Sequence, residues 1–253
     1  MSAKVVLVFV LAVLVMVSAK SERRKRPKPI PPYLKPCSKS AKDFKACCVA
    51  HGNEALPTLL KGDPKFNIPN LTPLQIPRID VATADSLKIV FLDVSLLGLD
   101  SAKLTDMSVD FDAHKIELDI FVGRVSIIGN YEVGGKILIL PLEGKGPANV
   151  TADDGKFKYK FNYKLENRNG INYAIIQDDD QLTFEVGHAY FRLDNLFNGN
   201  KQMSDNVNNF LNENWEEVTK ELGGAIQTTI AVIARRVGGG VLSNLPFDNL
   251  FLP

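Results

Sequence analysis

Catalysis needs polar groups that converge, and this chain offers few. It holds three histidines, His51, His114 and His188, none spaced with a second ligand to bind a metal ion. There is no Gly-x-Ser-x-Gly elbow, no His-Glu-x-x-His pair and no glycine-rich phosphate loop. Asp178-Asp179-Asp180 lacks the alternating oxygens and the glycine of a calcium loop, and reads as a solvated turn. His188 carries the sharpest expectation. It falls in phase with Leu182, Phe184, Val186 and Tyr190, which predicts that it points to the dry side of a strand and can anchor the ester, epoxide or carboxylate of an apolar ligand. The simpler reading is a strand-end histidine satisfied by backbone or solvent. Tyr159 and Tyr163 share an inward phase with Phe157 and Phe161, so their hydroxyls are candidate donors to the same ligand, or aromatic core with tips at the rim. Neither catalysis nor a cofactor is implied.

The elements that must position these residues are strands followed by a long helix. From Leu87 to Leu193 apolar and polar residues alternate, most clearly in Phe157, Tyr159, Phe161, Tyr163 and Leu165, interleaved with Lys156, Lys158, Lys160, Asn162 and Lys164. Such alternation marks an antiparallel sheet with one dry face. Gly98, Gly129-Asn130, Gly134-Gly135, Asp153-Asp154-Gly155 and Asn169-Gly170 read as the turns of a meander of six to eight strands. From Ser204 the period changes. Val207, Phe210, Leu211, Trp215, Val218, Leu222, Ile226, Ile230, Ile233 and Val237 recur every three or four residues along one face. About 34 residues at about 1.5 Å each make a rod on the order of 50 Å long, which only the strands can cover. A sheet curled around an apolar rod is a natural place for a cavity, and strands followed by a helix point to an α+β fold. Ala225 to Ala234 is apolar nearly all round, which predicts the deepest burial there. Gly223-Gly224 opens a notch, expected where the helix bends or where a strand or ligand comes closest.

The remaining segments set compartment and boundaries. Lys4, the apolar run Val5 to Val17 and Val17-Ser18-Ala19 read as an export signal over residues 1–19; about 13 apolar residues fall short of the about 20 a membrane span needs. Residues 20–36 form a basic leader with five prolines between Pro27 and Pro36, expected to be extended and without a core. Setting aside Lys4 and the leader leaves 22 basic and 28 acidic side chains in residues 37–253, an acidic body that argues against nucleic-acid binding. Asp43 opens a short helix, Phe44 to Leu60, and four prolines between Gly62 and Pro77 impose an extended segment after it. Cys37, Cys47 and Cys48 imply one disulfide and one free thiol, and chain reach alone does not choose the partner of Cys37. Asn70-Leu71-Thr72 and Asn149-Val150-Thr151 are glycosylation sequons.

Cys37 with Cys47, Gly62-Asp63-Pro64 to Ile76-Pro77, Leu196 to Trp215 and Leu245 to Phe251 are four blocks that, in this order, resemble the takeout family of the insect juvenile hormone-binding protein superfamily. Cys37 and Cys47, with nine residues between them, are similar to its N-terminal pair. Gly62-Asp63-Pro64 to Ile76-Pro77 resembles its proline-rich motif. Leu196-Phe197-Asn198-Gly199-Asn200-Lys201, followed by Phe210-Leu211-Asn212-Glu213-Asn214-Trp215, resembles its helix signature, and Leu245 to Phe251 its ending. The resemblance implies one domain, 37–253, in which a curved antiparallel sheet wraps a long C-terminal helix and encloses a hydrophobic tunnel. It implies a Cys37–Cys47 disulfide, with the extra Cys48 reduced and buried. It also implies a secreted, non-enzymatic, monomeric carrier of juvenile hormone, a fatty-acid-like molecule or another lipophile, touching membranes only to transfer ligand. The candidate lining is Tyr159, Phe161, Tyr163, Phe184, Val186, His188, Phe210, Trp215, Leu222, Ile226 and Ile230. Alternatives are a membrane- or bacterial-lipid-binding defence protein of the same fold and, less favoured, an extracellular esterase.

Overall fold

The computed structural model describes residues 27–82 and 87–253, so the segment 1–19 and the Arg23–Arg26 cluster lie outside the described residues. Two strands organise the rest. β5 (Lys115–Ile137) and β6 (Leu140–Arg168) are 23 and 29 residues long and pair without a slip from Lys115↔Asn162 to Ile137↔Leu140. Strands of about 5–6 residues are usual, so this hairpin is a ribbon running the length of the domain. Along its first side β3 (Lys88–Leu97) and β4 (Lys103–Asp110) pair one after the other with β5, and β2 (Leu74–Ala82) adds outside β3. Along its second side β7 (Ile171–Ile176), β8 (Gln181–Glu185) and β9 (His188–Leu193) follow one another down β6. The result is an eight-stranded antiparallel sheet, a meander if each broken side is counted as one bent strand.

Several expected turns are not turns. Gly129-Asn130 and Gly134-Gly135 lie inside β5, and Asp153-Asp154-Gly155 lies inside β6. The reversal between the two strands is made by Leu138-Ile139 instead. At Gly129 a Cβ would stand 2.8 Å from the carbonyl oxygen of Leu92, beside the bulge between Leu92 and Ser95. That glycine serves close backbone approach, which local sequence cannot distinguish from a turn.

The dry face changes sides partway along the ribbon. Ile116 and its even-numbered neighbours Leu118 and Val122 face inward at one end of β5, whereas Tyr131, Val133 and Ile137 are the buried set at the other. In β6 the buried phase passes from Leu142 and Ala148 to Tyr159, Phe161 and Tyr163. Pairing does not slip, so the two ends of one hairpin present opposite faces to the interior. The exchange is localised. Asp154 has φ 53°, a left-handed residue within a strand, and it lies level with Gly123 on one side and Gly187 on the other. β8 ends at Glu185 and β9 begins at His188 at this level, and Gly98, in the break between β3 and β4, abuts the backbone of Arg124. A transverse seam therefore crosses the sheet.

Two clusters result, each covered by part of the same helical run. The first joins Leu87, Tyr131, Ile137, Leu142 and Leu196 to Val207, Leu211 and Val218. The second joins Ile116, Tyr159, Phe161, Tyr163 and Leu182 to Leu242 and Phe247. The expected single rod is three segments, α2 (Lys201–Glu213), α3 (Trp215–Glu221) and α4 (Gly223–Leu242), after α1 (Phe44–Leu60). The breaks fall at Asn214, whose amide donates back to the Phe210 carbonyl, and at Leu222, before the poor helix formers Gly223 and Gly224. Hydrogen bonds from Val218 to Asn214 and from Ile226 to Leu222 carry the axis across both. α4 is also not enclosed on every side. It touches β2 at one edge of the sheet and β7 and β8 at the other, so it closes the open side and leaves its outer stripe in solvent. Val232 is 64% exposed.

The ends of the chain meet beneath the second cluster. β1 (Cys37–Ser38) pairs in parallel with β10 (Phe251–Leu252), which follows α5 (Phe247–Leu250). Phe44, Phe111, Phe247 and Phe251 pack there with ring centroids 5.0–6.2 Å apart. Residues 27–36 are not coreless, as composition had implied: Ile30, Tyr33 and Leu34 pack on Phe66 and Ile68, and the Tyr33 hydroxyl donates to Asp63 at 2.6 Å. Asp43 stands at the start of α1 without making a side-chain cap.

Asparagine side chains close the strand edges. Asn208 accepts from the backbone N–H of Leu193 at 2.8 Å and donates to its carbonyl at 2.9 Å, and Asn212 does the same to Phe191 at 2.9 and 2.8 Å. Spaced four residues apart on α2, the two amides act as a substitute strand along β9. Asn53 of α1 clamps Leu104 of β4 in the same way. Asn208→Ala is expected to destabilise the fold by about 2–3 kcal/mol, because it strands a buried donor and acceptor together. Urea unfolding would check this, and Asn209→Ala, on the exposed side of the same helix, should change stability by less than about 0.5 kcal/mol.

Candidate functional site

The strongest candidate for a binding region is the apolar interior between the ribbon and the helical run. Most globular domains have one contiguous core. Here, among the described residues, the two main clusters stay separate. Leu222 and Ala225 end the helical contribution to the first, and Ile230 begins it in the second, with Ile226 between them. Ile120, Val125 and Val186, at or beside the seam, and Ile226 of α4 are half-buried apolar residues that belong to neither cluster.

The predicted lining residues divide across this region. Tyr159, Phe161 and Tyr163 are buried in the second cluster, with Phe184 and Ile230 at its margin. Leu222 borders the first cluster, and Phe210 is half-buried outside both. Val186 lies in the break between β8 and β9, which is why the phase of His188 differs from expectation. Beyond the seam Ala189 and Leu193 are the buried residues and Tyr190 is exposed, so His188 shares the outward phase of Tyr190. Its ring lies between Tyr190 and Trp215, with centroids 4.4 and 4.7 Å away. Asp153, the cross-strand partner of His188, receives two hydrogen bonds from Arg124 at 2.5 and 2.7 Å. Those bonds hold the Asp153 carboxyl below its ordinary value.

Tyrosine chemistry also departs from the expected pattern. Tyr159 is 2% exposed, and its hydroxyl donates to Asp180 at 2.5 Å. Asp180 is not a solvated turn residue: its side chain is 4% exposed and pairs with Arg235 of α4, which also donates to Asp178 at 2.6 Å. Burial pushes the Asp180 carboxyl up, but hydrogen bonds from Arg235 and Tyr159 outweigh it and leave the group below its usual value. Burial and the bond to Asp180 push the Tyr159 hydroxyl up. This buried pin fixes α4 to the β7–β8 connection, and an Asp-rich turn in sequence gave no sign of it. The Tyr163 hydroxyl is buried without a hydrogen-bond partner among the described residues, and burial pushes it up to about 12.

At the disulfide end Cys37 and Cys47 are bonded, and Cys48 is free and buried, with burial raising its thiol to about 11. His51 Nδ1 lies 3.3 Å from Cys37 Sγ and 3.5 Å from Cys47 Sγ. Disulfide sulfurs carry no thiolate, so this trio does not offer a metal its usual ligands. Gly223 and Gly224 face open space, and a Cβ on either would meet nothing within 4 Å. The tightest glycine approach of α4 is at Gly240, where a Cβ would stand 2.6 Å from the Phe66 carbonyl. Beside it an open cleft of about 420 Å³ runs between the outer stripe of α4, Phe66 and β7, bordered by none of the predicted lining residues. No helix among the described residues is long and apolar enough to cross a membrane.

Comparison with known proteins places this geometry. The family described as haemolymph juvenile hormone binding protein matches residues 8–252. The crystal structure of Takeout 1 from Epiphyas postvittana superposes with a TM-score of 0.78 at 27% identity, covering 86% of this chain and 99% of that one. The circadian clock-controlled protein daywake of Drosophila yakuba is 23% identical over 230 residues, 87% of this chain and 88% of that protein. A putative beta-carotene-binding protein of Schistocerca gregaria is 28% identical over 114 residues, 44% of this chain and 45% of that protein.

The Asp180 pin makes stability depend on pH with a definite sign. Its folded pKa is depressed, so its contribution is complete above the unfolded value of about 3.9 and fades as pH falls through the folded value. Arg235 is 36% exposed, so Asp180→Asn should cost about 2 kcal/mol at pH 7, below the 3–5 of a fully buried pair. Urea titrations should find that gap between wild type and variant narrowing as pH falls below the unfolded value of about 3.9.

Proposed function

Because the chain belongs to the haemolymph juvenile hormone binding protein family, we propose that it is a secreted, monomeric carrier that holds one lipophilic ligand between the ribbon and the helical run. The observation that carries this reading is the split interior: half-buried Ile120, Val125, Val186 and Ile226 lie between two clusters and complete neither. A linear apolar ligand laid along the helix there would join the two clusters into one. Each buried methylene offers about 0.8 kcal/mol, enough for micromolar binding by a chain of about fifteen carbons after association costs. Juvenile hormone, fatty-acid-like molecules and the carotenoid in the name of the Schistocerca relative share this elongated apolar character. The buried hydroxyl of Tyr163 and the aromatic margin of Phe157 and Phe184 would border the same ligand toward the disulfide end. Asn70 and Asn149 are exposed, as glycan acceptors must be.

The enzymatic alternative, an extracellular esterase acting on such ligands, is separated by chemistry. Radiolabelled juvenile hormone incubated with pure protein should be recovered intact in the protein fraction; ester hydrolysis that tracks the protein would replace the carrier reading. Within that reading, Ile226→Trp should fill the space between the clusters and weaken binding of a fifteen-carbon chain about tenfold, or about 1.4 kcal/mol. Gly224→Leu, pointing into solvent, should leave it unchanged. Equal affinity in wild type and a folded Ile226→Trp protein would move the ligand elsewhere.

A further inference from the structure

The cleft on the outer side of α4 is used by none of the preceding chemistry. Val232, Arg235, Arg236, Gly239 and Ser243 recur at steps of three or four residues, so they form one stripe of the helix, facing Phe66 and the edge strand β7. Neighbouring glycines play different parts. Gly240 lets the 66–68 segment reach the helix backbone, whereas a Cβ at Gly239 would meet nothing within 4 Å. One glycine closes the end of a trough and the other keeps its middle open.

The walls and the rim differ in chemistry. The half-buried Ile175 and Ile176 and the largely exposed Val232 supply apolar surface, with the buried Phe66 beneath. Two arginines border the cleft and no carboxylate does. Arg235 is already committed to Asp178 and Asp180. Arg236 is exposed and makes no ion pair or side-chain hydrogen bond among the described residues. The Lys28 ammonium adds positive charge at the rim, 5.2 Å from the centroid of the Phe66 ring. A volume of about 420 Å³ lies within the range of about 300–1,000 Å³ typical of small-molecule sites.

We propose that this trough is a second ligand site, separate from the interior, which binds a free amphiphilic acid. Arg236 takes the anionic head, carboxylate or phosphate, through its forked donors, and the alkyl chain lies along Gly239 against Val232 and Ile175. Arg235, neutralised by its aspartates, positions α4 and does not compete for the head.

Equilibrium dialysis with laurate, dodecyl phosphate and dodecanol tests this on wild type, Arg236→Gln and Gly239→Leu. Gly239 has ordinary helical geometry and open space beside it, so a leucine there should fold and fill the trough. Wild type should bind both anions at least tenfold more tightly than the alcohol. Arg236→Gln should erase that preference, Gly239→Leu should weaken both anions, and neither variant should change dodecanol binding or lower the melting temperature. Equal affinity for acids and alcohol in wild type, or an acid preference that survives Arg236→Gln, overturns the site and leaves the interior carrier standing. Anion-dependent binding seen only with phosphatidic acid vesicles also overturns it, since the occupant would then be a membrane. Failure of all three probes to bind would remove both readings.

Discussion

The fold depends on one backbone event, the exchange of faces at the seam through Gly98, Arg124, Asp154 and Gly187. A ribbon as long as β5–β6 twists as it runs, and a helix packed against it does not follow that twist. Without a correction, one half of the ribbon would turn its polar face to the helix. The left-handed Asp154, flanked by glycines on the strands at either side, reverses the inward phase at a single level. Both halves then offer apolar side chains to the same helical run. The buried side chains on either side of the seam nevertheless form two separate clusters among the described residues.

Burial alone would not hold the helices in place. Apolar contact is non-directional, so α2 and α4 would be free to slide along a smooth sheet. Directed contacts remove that freedom at a few points. Asn208 and Asn212 lock α2 to β9 by completing its edge, and Arg235 locks α4 to Asp180 and Tyr159. Between these points the helical run, past Ile226 and the open Gly223-Gly224 step, makes no such polar lock among the described residues.

Much of this was legible in the residues. The alternation from Leu87 to Leu193 and the three-to-four spacing after Ser204 follow from backbone periods that any local window reports, so the α+β class and the order of elements could be read directly. The four blocks that resemble takeout proteins narrowed the class to one fold, and the cysteine pair came with them. Where reading stopped, the cause was tertiary. Asp153-Asp154-Gly155 has the composition of a turn, and only pairing with neighbours on both sides holds it inside a strand as the point of reversal. His188 is in perfect phase with Phe184 in the sequence, and the seam at Gly187 just before it gives it the outward phase of Tyr190. Asp178-Asp179-Asp180 looks like solvated charge until Arg235, more than fifty residues later, arrives to bury the third of them. Local period and composition determine which elements form; which face each one shows, and which polar group finds a partner, is decided by long-range pairing that no local window contains.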